Sequence, residues 1–157
     1  MMMDIHKIGL FGGKDITGAV LVDAVSGDCQ YYDIQDVPTW IDRVYPSELL
    51  IEQLNNWGKY THGFFNTIFS QKGVLKPTDG YNYIALNDDV YLYTGLTSVS
   101  NDASNVGFAL INMRTKEAKY YASSGAEEFS AMSSAEGKVT DLKYTATFPI
   151  LINAGGE

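Results

Sequence analysis

A thiol and an imidazole are the groups in this chain that could act together as nucleophile and base, and the sequence offers one Cys and two His for that purpose. Cys29 and His62 are the candidate pair, and a hydrolase using His62 with Cys29 or with a carboxylate is one reading. Position argues against it. Residues Gly18 to Tyr32 (GAVLVDAVSGDCQYY) return without a gap as Gly107 to Tyr121 (GFALINMRTKEAKYY), and the second copy carries Ala118 where the first has Cys29. A position that accepts Ala is expected to hold a small packed side chain rather than a nucleophile. His62, in Gly58-Lys-Tyr-Thr-His62-Gly-Phe-Phe-Asn, is expected in an aromatic loop packed on a sheet.

Paired carboxylates can move protons or hold Ca²⁺. Asp23 and Asp28 have Asn112 and Glu117 as counterparts in the second copy, and replacing Asp by Asn removes a titrating group. Neither stretch resembles an EF-hand loop, so these residues, like Asp88 and Asp89, are expected to shape turns. Phe11-Gly12-Gly13-Lys14-Asp15 fails as a phosphate loop, because Ile8 and Asp15 stand where that motif needs Gly and Ser or Thr. A single cysteine excludes an internal disulfide and a multi-Cys metal site, and no cofactor is expected.

The most unusual local composition is Trp40, Asp42, Arg43, Trp57 and Tyr60, in a segment longer than its counterpart after the second copy. Arg beside aromatic residues is the composition of interface hot spots, although an ion pair and helix-to-sheet packing would use the same residues. Trp40, Arg43, Trp57, Tyr60 and His62 are therefore the candidate binding residues, within a contact surface running from Trp40 to Phe65.

At 157 residues the chain can form one compact domain or two small ones. An apolar content of 45%, with eleven Tyr, suits half-buried strands and excludes a disordered chain. The net charge is −8, with Lys and Arg scattered, which argues against nucleic acid and anionic membrane surfaces as partners. No apolar run approaches the ~20 residues that span a bilayer.

The elements that would position these residues are repeated hairpins. Ala19 to Ala24 and Asp28 to Asp33 flank Val25-Ser26-Gly27, with Gly27 suited to a tight turn. Phe108 to Met113 and Ala118 to Ala122 flank Arg114-Thr115-Lys116, whose lack of Gly suggests a different turn type. Tyr81 to Leu86 and Val90 to Thr97 form another hairpin around Asn87-Asp88-Asp89. Helical signals follow each repeat. The first covers Val37 to Tyr45 and then Pro46 to Trp57, with Leu50, Leu54 and Trp57 as a buried stripe and Gly58 near its stop. The second begins at a capping box, Ser124 to Glu127, and runs from Glu128 to Glu136, with Phe129 and Met132 inward and Gly137 as its stop.

A full unit reads hairpin, hairpin, helix over Tyr81 to Gly137, whereas the first copy starts inside a hairpin, Ile8-Gly-Leu10 matching Thr94-Gly-Leu96. With a strand-like run from Thr147 to Asn153 before Ala154-Gly-Gly156, both ends look cut inside hairpins. The expected division is residues 1–75 as a truncated hairpin-helix repeat and 76–157 as a hairpin-hairpin-helix repeat plus a terminal strand, sharing one compact fold. The open edges would close by pairing the N-terminal strand with Thr147 to Asn153, or by pairing two chains into a dimer.

The Val-Asp-Ala-x-Ser-Gly-Asp hairpin at 22 to 28 resembles the closing strand of a PepSY domain. The stretches Val37 to Pro46 and Trp57 to Asn66, with Tyr93-Thr-Gly-Leu-Thr-Ser98 and Phe148-Pro-Ile-Leu-Ile152, are similar to an uncharacterised family of membrane-anchored proteins from Gram-positive bacteria. The resemblance implies a PepSY-like duplicated domain in an extracytoplasmic segment of a longer, membrane-anchored protein, and carries no activity with it. PepSY domains accompany proteases as propeptides and inhibitors, but the helix order here departs from theirs.

The expected fold is α+β, an antiparallel sheet of repeated β-hairpins with helices Pro46 to Trp57 and Ala126 to Glu136 on one face, as in PepSY-like or cystatin-like units. The expected function is a non-enzymatic interaction or regulatory module of a cell-envelope protein, binding a protein or peptide without membrane contact of its own. A hydrolase and a purely structural spacer are the alternatives.

Overall fold

In a computed structural model of the chain, residues 2–8, 13–60, 73–99, 104–126 and 128–150 are described. The fold is α+β, with antiparallel strand pairs in two sheets. The first sheet has the order β1-β2-β3, with β1 Met2–Ile8, β2 Gly13–Val22 and β3 Cys29–Asp33. After helix α1, Ser47–Tyr60, come β4 Leu75–Pro77, β5 Asn82–Leu86, β6 Asp89–Ser98, β7 Ser104–Asn112, β8 Ala118–Ala126 and helix α2, Glu128–Lys138. In the second sheet β8 and β7 lie beside β6, whose other edge is shared by β5 and β4.

The two matching stretches, Gly18 to Tyr32 and Gly107 to Tyr121, form hairpins of the same register. Gly18 faces Asp33 across β2 and β3 as Gly107 faces Ala122 across β7 and β8, and the register agrees down each hairpin to Val22 opposite Cys29 and Ile111 opposite Ala118. Both turns close alike: Asp23 N–H donates to the Asp28 carbonyl at 2.9 Å, and Asn112 N–H to that of Glu117 at 2.8 Å. The side-chain oxygen of Asp23 accepts from the Val25 and Ser26 amides, and that of Asn112 from the Arg114 and Thr115 amides. The expected difference in turn type is absent. Lys116 adopts φ 67°, close to the 78° of Gly27, so an L-residue carries the left-handed position and the surrounding bonds hold it there.

Both repeat glycines serve close packing. A Cβ on Gly18 would stand on the Tyr31 ring and 2.6 Å from the Tyr32 carbonyl oxygen, and one on Gly107 would stand 2.5 Å from Tyr120 Cε2 and against the Tyr121 carbonyl. The closing Tyr-Tyr pair therefore requires Gly across the strand. The register also revises the expected match at the first strand. Met2 faces Val20 as Thr94 faces Ala109, so Met2, and not Ile8, is the counterpart of Thr94.

The Asn87-Asp88 turn has φ of 51° and 67° between the paired Leu86 and Asp89, a two-residue turn whose twist suits a hairpin. Strand β6 shows no alternation of burial at its centre, because Leu92 to Leu96 are buried without a break. Each face of β6 is covered by a different layer. Leu92 and Leu96, with Ala109, Ile111 and Met113, pack on Leu50 and Leu54 of α1. On the other face Tyr93 packs on Phe108 and Phe148, Phe108 stacks on Tyr121, and Glu128 at the start of α2 lies over Gly95. The two helices thus lie on opposite faces of this sheet rather than together on one, since successive side chains of a strand point opposite ways.

Several local expectations change for identifiable reasons. Val37 to Tyr45 contains no helix; the amides of Val44 and Tyr45 both donate to the Met113 carbonyl, tying this connector to the sheet. Gly58 does not stop α1. A Cβ there would strike the Leu75 backbone, so this glycine lets the helix cross β4 closely. Gly137 likewise lies inside α2. Among the described side chains of α2 the buried one is Glu128, whereas Phe129 is exposed. Thr147 to Ile150 form no strand, and Phe148 instead packs on Tyr93, Phe129 and Gly80; the rest of that expected strand lies outside the described residues.

A second apolar cluster, Ile16, Val44 and Leu49, joins the first sheet to α1. Polar ties reinforce it: Gln53 donates to the Lys14 carbonyl at 2.7 Å, and Lys116 pairs with Asp15 across the two sheets. Asp89 at the β5–β6 turn accepts from Arg114 Nε at 2.8 Å and from Asn112 Nδ2 at 2.9 Å, locking the two neighbouring turns together.

These ties set the acid response. Burial pushes Asp15 up, but the Lys116 ammonium and the Ile16 amide outweigh it and its carboxyl lies below the ordinary 3.8. The Ser26 and Val25 amides hold Asp23 low, and Arg114 with Asn112 does the same for Asp89. A carboxyl depressed in the folded state contributes stability that is fully present above its unfolded value and is lost as pH falls through the folded one. The urea midpoint should therefore hold from pH 7 to about 5 and decline below about pH 4, and Asp89→Asn should flatten that decline. A midpoint that rises on acidification from about pH 5 to 3 contradicts this assignment.

Candidate functional site

An apolar recess beside a sheet edge lies between α1 and the β7–β8 hairpin. Ala109, Ile111 and Ala118 form its floor, Leu50, Leu54 and Trp57 of α1 one wall, and Tyr120 the other, enclosing about 280 Å³. The Trp57 and Tyr120 rings face each other at 6.4 Å between centroids, tilted by 47°. Tyr120 is anchored by its hydroxyl, which donates to the Val106 carbonyl at 3.1 Å. Gln53, Lys116 and Lys119 complete the lining, with Lys116 paired to Asp15 and Lys119 at 3.5 Å from Glu117.

The fold builds this recess for simple reasons. Leu50 and Leu54 seat α1 over β6 and β7, and Trp57, one turn on, extends past the sheet's covered centre and stays 46% exposed. The expected buried stripe thus ends at Leu54, and Trp57 belongs to a rim. Small residues at Ala109 and Ala118 leave space that larger side chains would fill.

Next to the recess, β8 ends the second sheet among the described residues. Because the Asn112 amide donates to the Glu117 carbonyl, antiparallel alternation turns the Ala118, Tyr120 and Ala122 amides away from β7. Ala118 to Ala122 are exposed, with one charged side chain, Lys119, and no Pro. Natural edges are usually blunted by charges, Pro or bulges; β8 shifts register against β7 between Ala122 and Gly125, so the regular open edge is Ala118 to Ala122, with Lys119 as its one charge.

The other expected site residues are spread over separate surroundings. Trp40, 73% exposed, lines a shallow hollow with Val22, Cys29, Gln30 and Tyr32 on the first hairpin. Arg43 is exposed and lies over the Tyr83 ring at 4.4 Å, on β5. Tyr60 ends α1 with Lys59 over its ring at 5.3 Å. His62 and Phe65 lie outside the described residues. The Trp40 hollow and the Trp57 recess share no lining residue, so the segment from Trp40 to Tyr60 does not form one patch.

Cys29 is exposed rather than packed, and its Sγ lies 3.5 Å from the Gly27 carbonyl at the turn. Asp23 and Asp28 are engaged in that turn, as their types predict: Ser26 Oγ donates to Asp28 at 2.9 Å. Among the described residues no group of three or more His, Cys, Asp or Glu could hold a metal ion. No helix among them is long and apolar enough to cross a membrane.

Sequence reasoning missed Tyr120 as a wall of the recess. The signal was available, because the Tyr-Tyr pair recurs opposite a Gly and one Tyr of each pair must point to each face. Comparison with family models, with curated proteins and with solved structures finds no match.

Proposed function

We propose that this chain is a non-enzymatic interaction module that takes up an extended segment of a partner protein along β8, with a partner side chain seated in the apolar recess bordered by Trp57 and Tyr120. The observation that carries the reading is the juxtaposition of the open edge with the aromatic recess. Strand addition draws affinity from main-chain hydrogen bonds and specificity from a pocket that accepts alternate side chains, and both parts lie here within one strand's width. The dispersed nearest neighbours of Trp40, Arg43 and Tyr60 narrow the contact surface to Trp57 and its surroundings. The matched turns and registers of the two hairpins support an internal duplication, and the resemblance to a membrane-anchored family supports a setting in the cell envelope as part of a longer protein.

The test is selection of random linear peptides on the immobilised full chain. Enriched peptides should share one bulky apolar residue flanked by extended-structure formers, and Trp57→Ala should weaken them at least tenfold, on the order of the 1.4 kcal/mol or more that a buried aromatic anchor contributes. Trp40→Ala should leave their affinity unchanged. Failure to enrich any peptide, or equal binding by the Trp57→Ala chain, sinks the proposal.

A further inference from the structure

On the face of the second sheet opposite the recess, a cavity of about 220 Å³ contains a carboxylate whose environment is unusual. Glu128 is only 3% exposed, and neither of its oxygens has a hydrogen-bond partner among the described residues. Its carboxyl carbon lies where a Cβ on Gly95 would come within 2.8 Å, so the glycine in the middle of β6 is what lets the carboxylate lie flat against the strand. Tyr93 and Phe108, 5.4 Å apart between ring centroids, supply aromatic surface, and half-buried Ser123 lies on the same lining. Ile150, also on the lining, is exposed, so the cavity reaches solvent there.

Desolvating an ionised carboxylate without a partner is costly, and such groups in folded proteins are normally paired or bound to a cation. Asn105, whose buried Oδ1 also has no hydrogen-bond partner among the described residues, shares the lining, but with Glu128 as the one acidic side chain among the described lining residues the set falls short of the charge and the roughly six to eight oxygen ligands that Ca²⁺ takes. A carboxylate flanked by aromatic rings does suit an organic cation, which gains a charge-assisted hydrogen bond from one and the ring quadrupole from the other. We infer that this cavity is a binding site for an alkylammonium group, held by Glu128 and flanked by Tyr93 and Phe108. The group is either that of a small free amine or that of a lysine side chain presented by a peptide; both offer the same head on an apolar stem.

Thermal unfolding of the full chain tests this, with n-butylammonium chloride for the free amine and Nα-acetyl-lysine amide for the side chain, each against KCl at equal ionic strength. A ligand that binds the folded state raises the midpoint with concentration. One or both probes should raise it, and which of them does so identifies the source; n-butanol, of the same shape without the charge, should not. Glu128→Gln keeps the shape and removes the charge. It should abolish the probe-dependent rise while leaving the unliganded midpoint equal or higher, because a buried unpaired charge has been removed. Gly95→Ala, which occupies the carboxylate's seat, should abolish the rise as well. No rise with either probe, an equal rise with n-butanol, or an undiminished rise in Glu128→Gln overturns the inference.

Discussion

Leu92→Ala should lower the unfolding free energy by about 3–4 kcal/mol, with an unchanged denaturant slope. Leu92 is fully buried at the centre of β6, opposite Ile111, in the cluster that α1 closes with Leu50 and Leu54. Truncation removes three methylene-equivalents of burial and leaves a cavity that two strands and a helix cannot close without breaking their ladders. Against the roughly 5–15 kcal/mol that holds a domain folded, one such change removes about a fifth or more of the stability. Val22→Ala, at a half-exposed position of the first hairpin, should cost well under 1 kcal/mol by comparison. A Leu92→Ala loss of the same small size would mean that the α1 layer does not rest on β6 as described.

The second large effect belongs to the repeat glycines. Gly18→Ala and Gly107→Ala should each destabilise by about 1–3 kcal/mol, because each new Cβ meets a tyrosine ring and a backbone carbonyl across the hairpin, and the backbone cannot swing aside. The two losses should be similar, since the neighbours are the same in kind. Gly125→Ala and Gly137→Ala are the internal comparison: nothing stands within 4 Å of either Cβ position. At Gly137, inside α2, Ala should stabilise by up to about 1 kcal/mol through helix propensity. Differential scanning calorimetry of the four variants decides the matter. If Gly107→Ala unfolds at the temperature of Gly125→Ala, the close contact assigned to the Tyr-Tyr pair is wrong.

The hairpins were legible in the sequence because their signals are local. Apolar and β-branched runs, Asn-Asp and Ser-Gly turns and the matching 15-residue stretches marked six strands, all but β2 within a few residues of their bounds; β2 begins at Gly13 rather than Ala19. Position-by-position agreement between Asp23 and Asn112, or Ser26 and Thr115, correctly foretold turn chemistry, since short polar side chains that accept from the next amides act over two or three residues. What could not be read was set by distant partners. Val37 to Tyr45 has helical spacing, yet two of its amides are claimed by Met113. Gly58 has the position of a stop but answers to Leu75, seventeen residues on. Leu92 to Leu96 is buried on both sides because α1 covers one face and Phe148 with the start of α2 covers the other, which no pattern within β6 reveals.

The site was legible in part. Trp57 was identified from composition, but its partner Tyr120 comes from the other end of the chain, and Trp40 and Arg43 find separate neighbours. Nothing in the sequence set Glu128 apart, because an acidic residue in the first turn of a helix is common for reasons of the helix dipole. Only the glycine beneath it, more than thirty residues earlier, shows that the carboxylate is drawn inward.

Docking of a polypeptide on β8 is tested most directly by amide hydrogen exchange with and without a selected peptide. Bound peptide should slow exchange at Ala118, Tyr120 and Ala122, whose amides point away from β7, while Lys119 and Tyr121, already bonded within the sheet, change little. Protection that skips this alternation, or that falls on the Trp40 hollow and leaves β8 unchanged, would contradict the account.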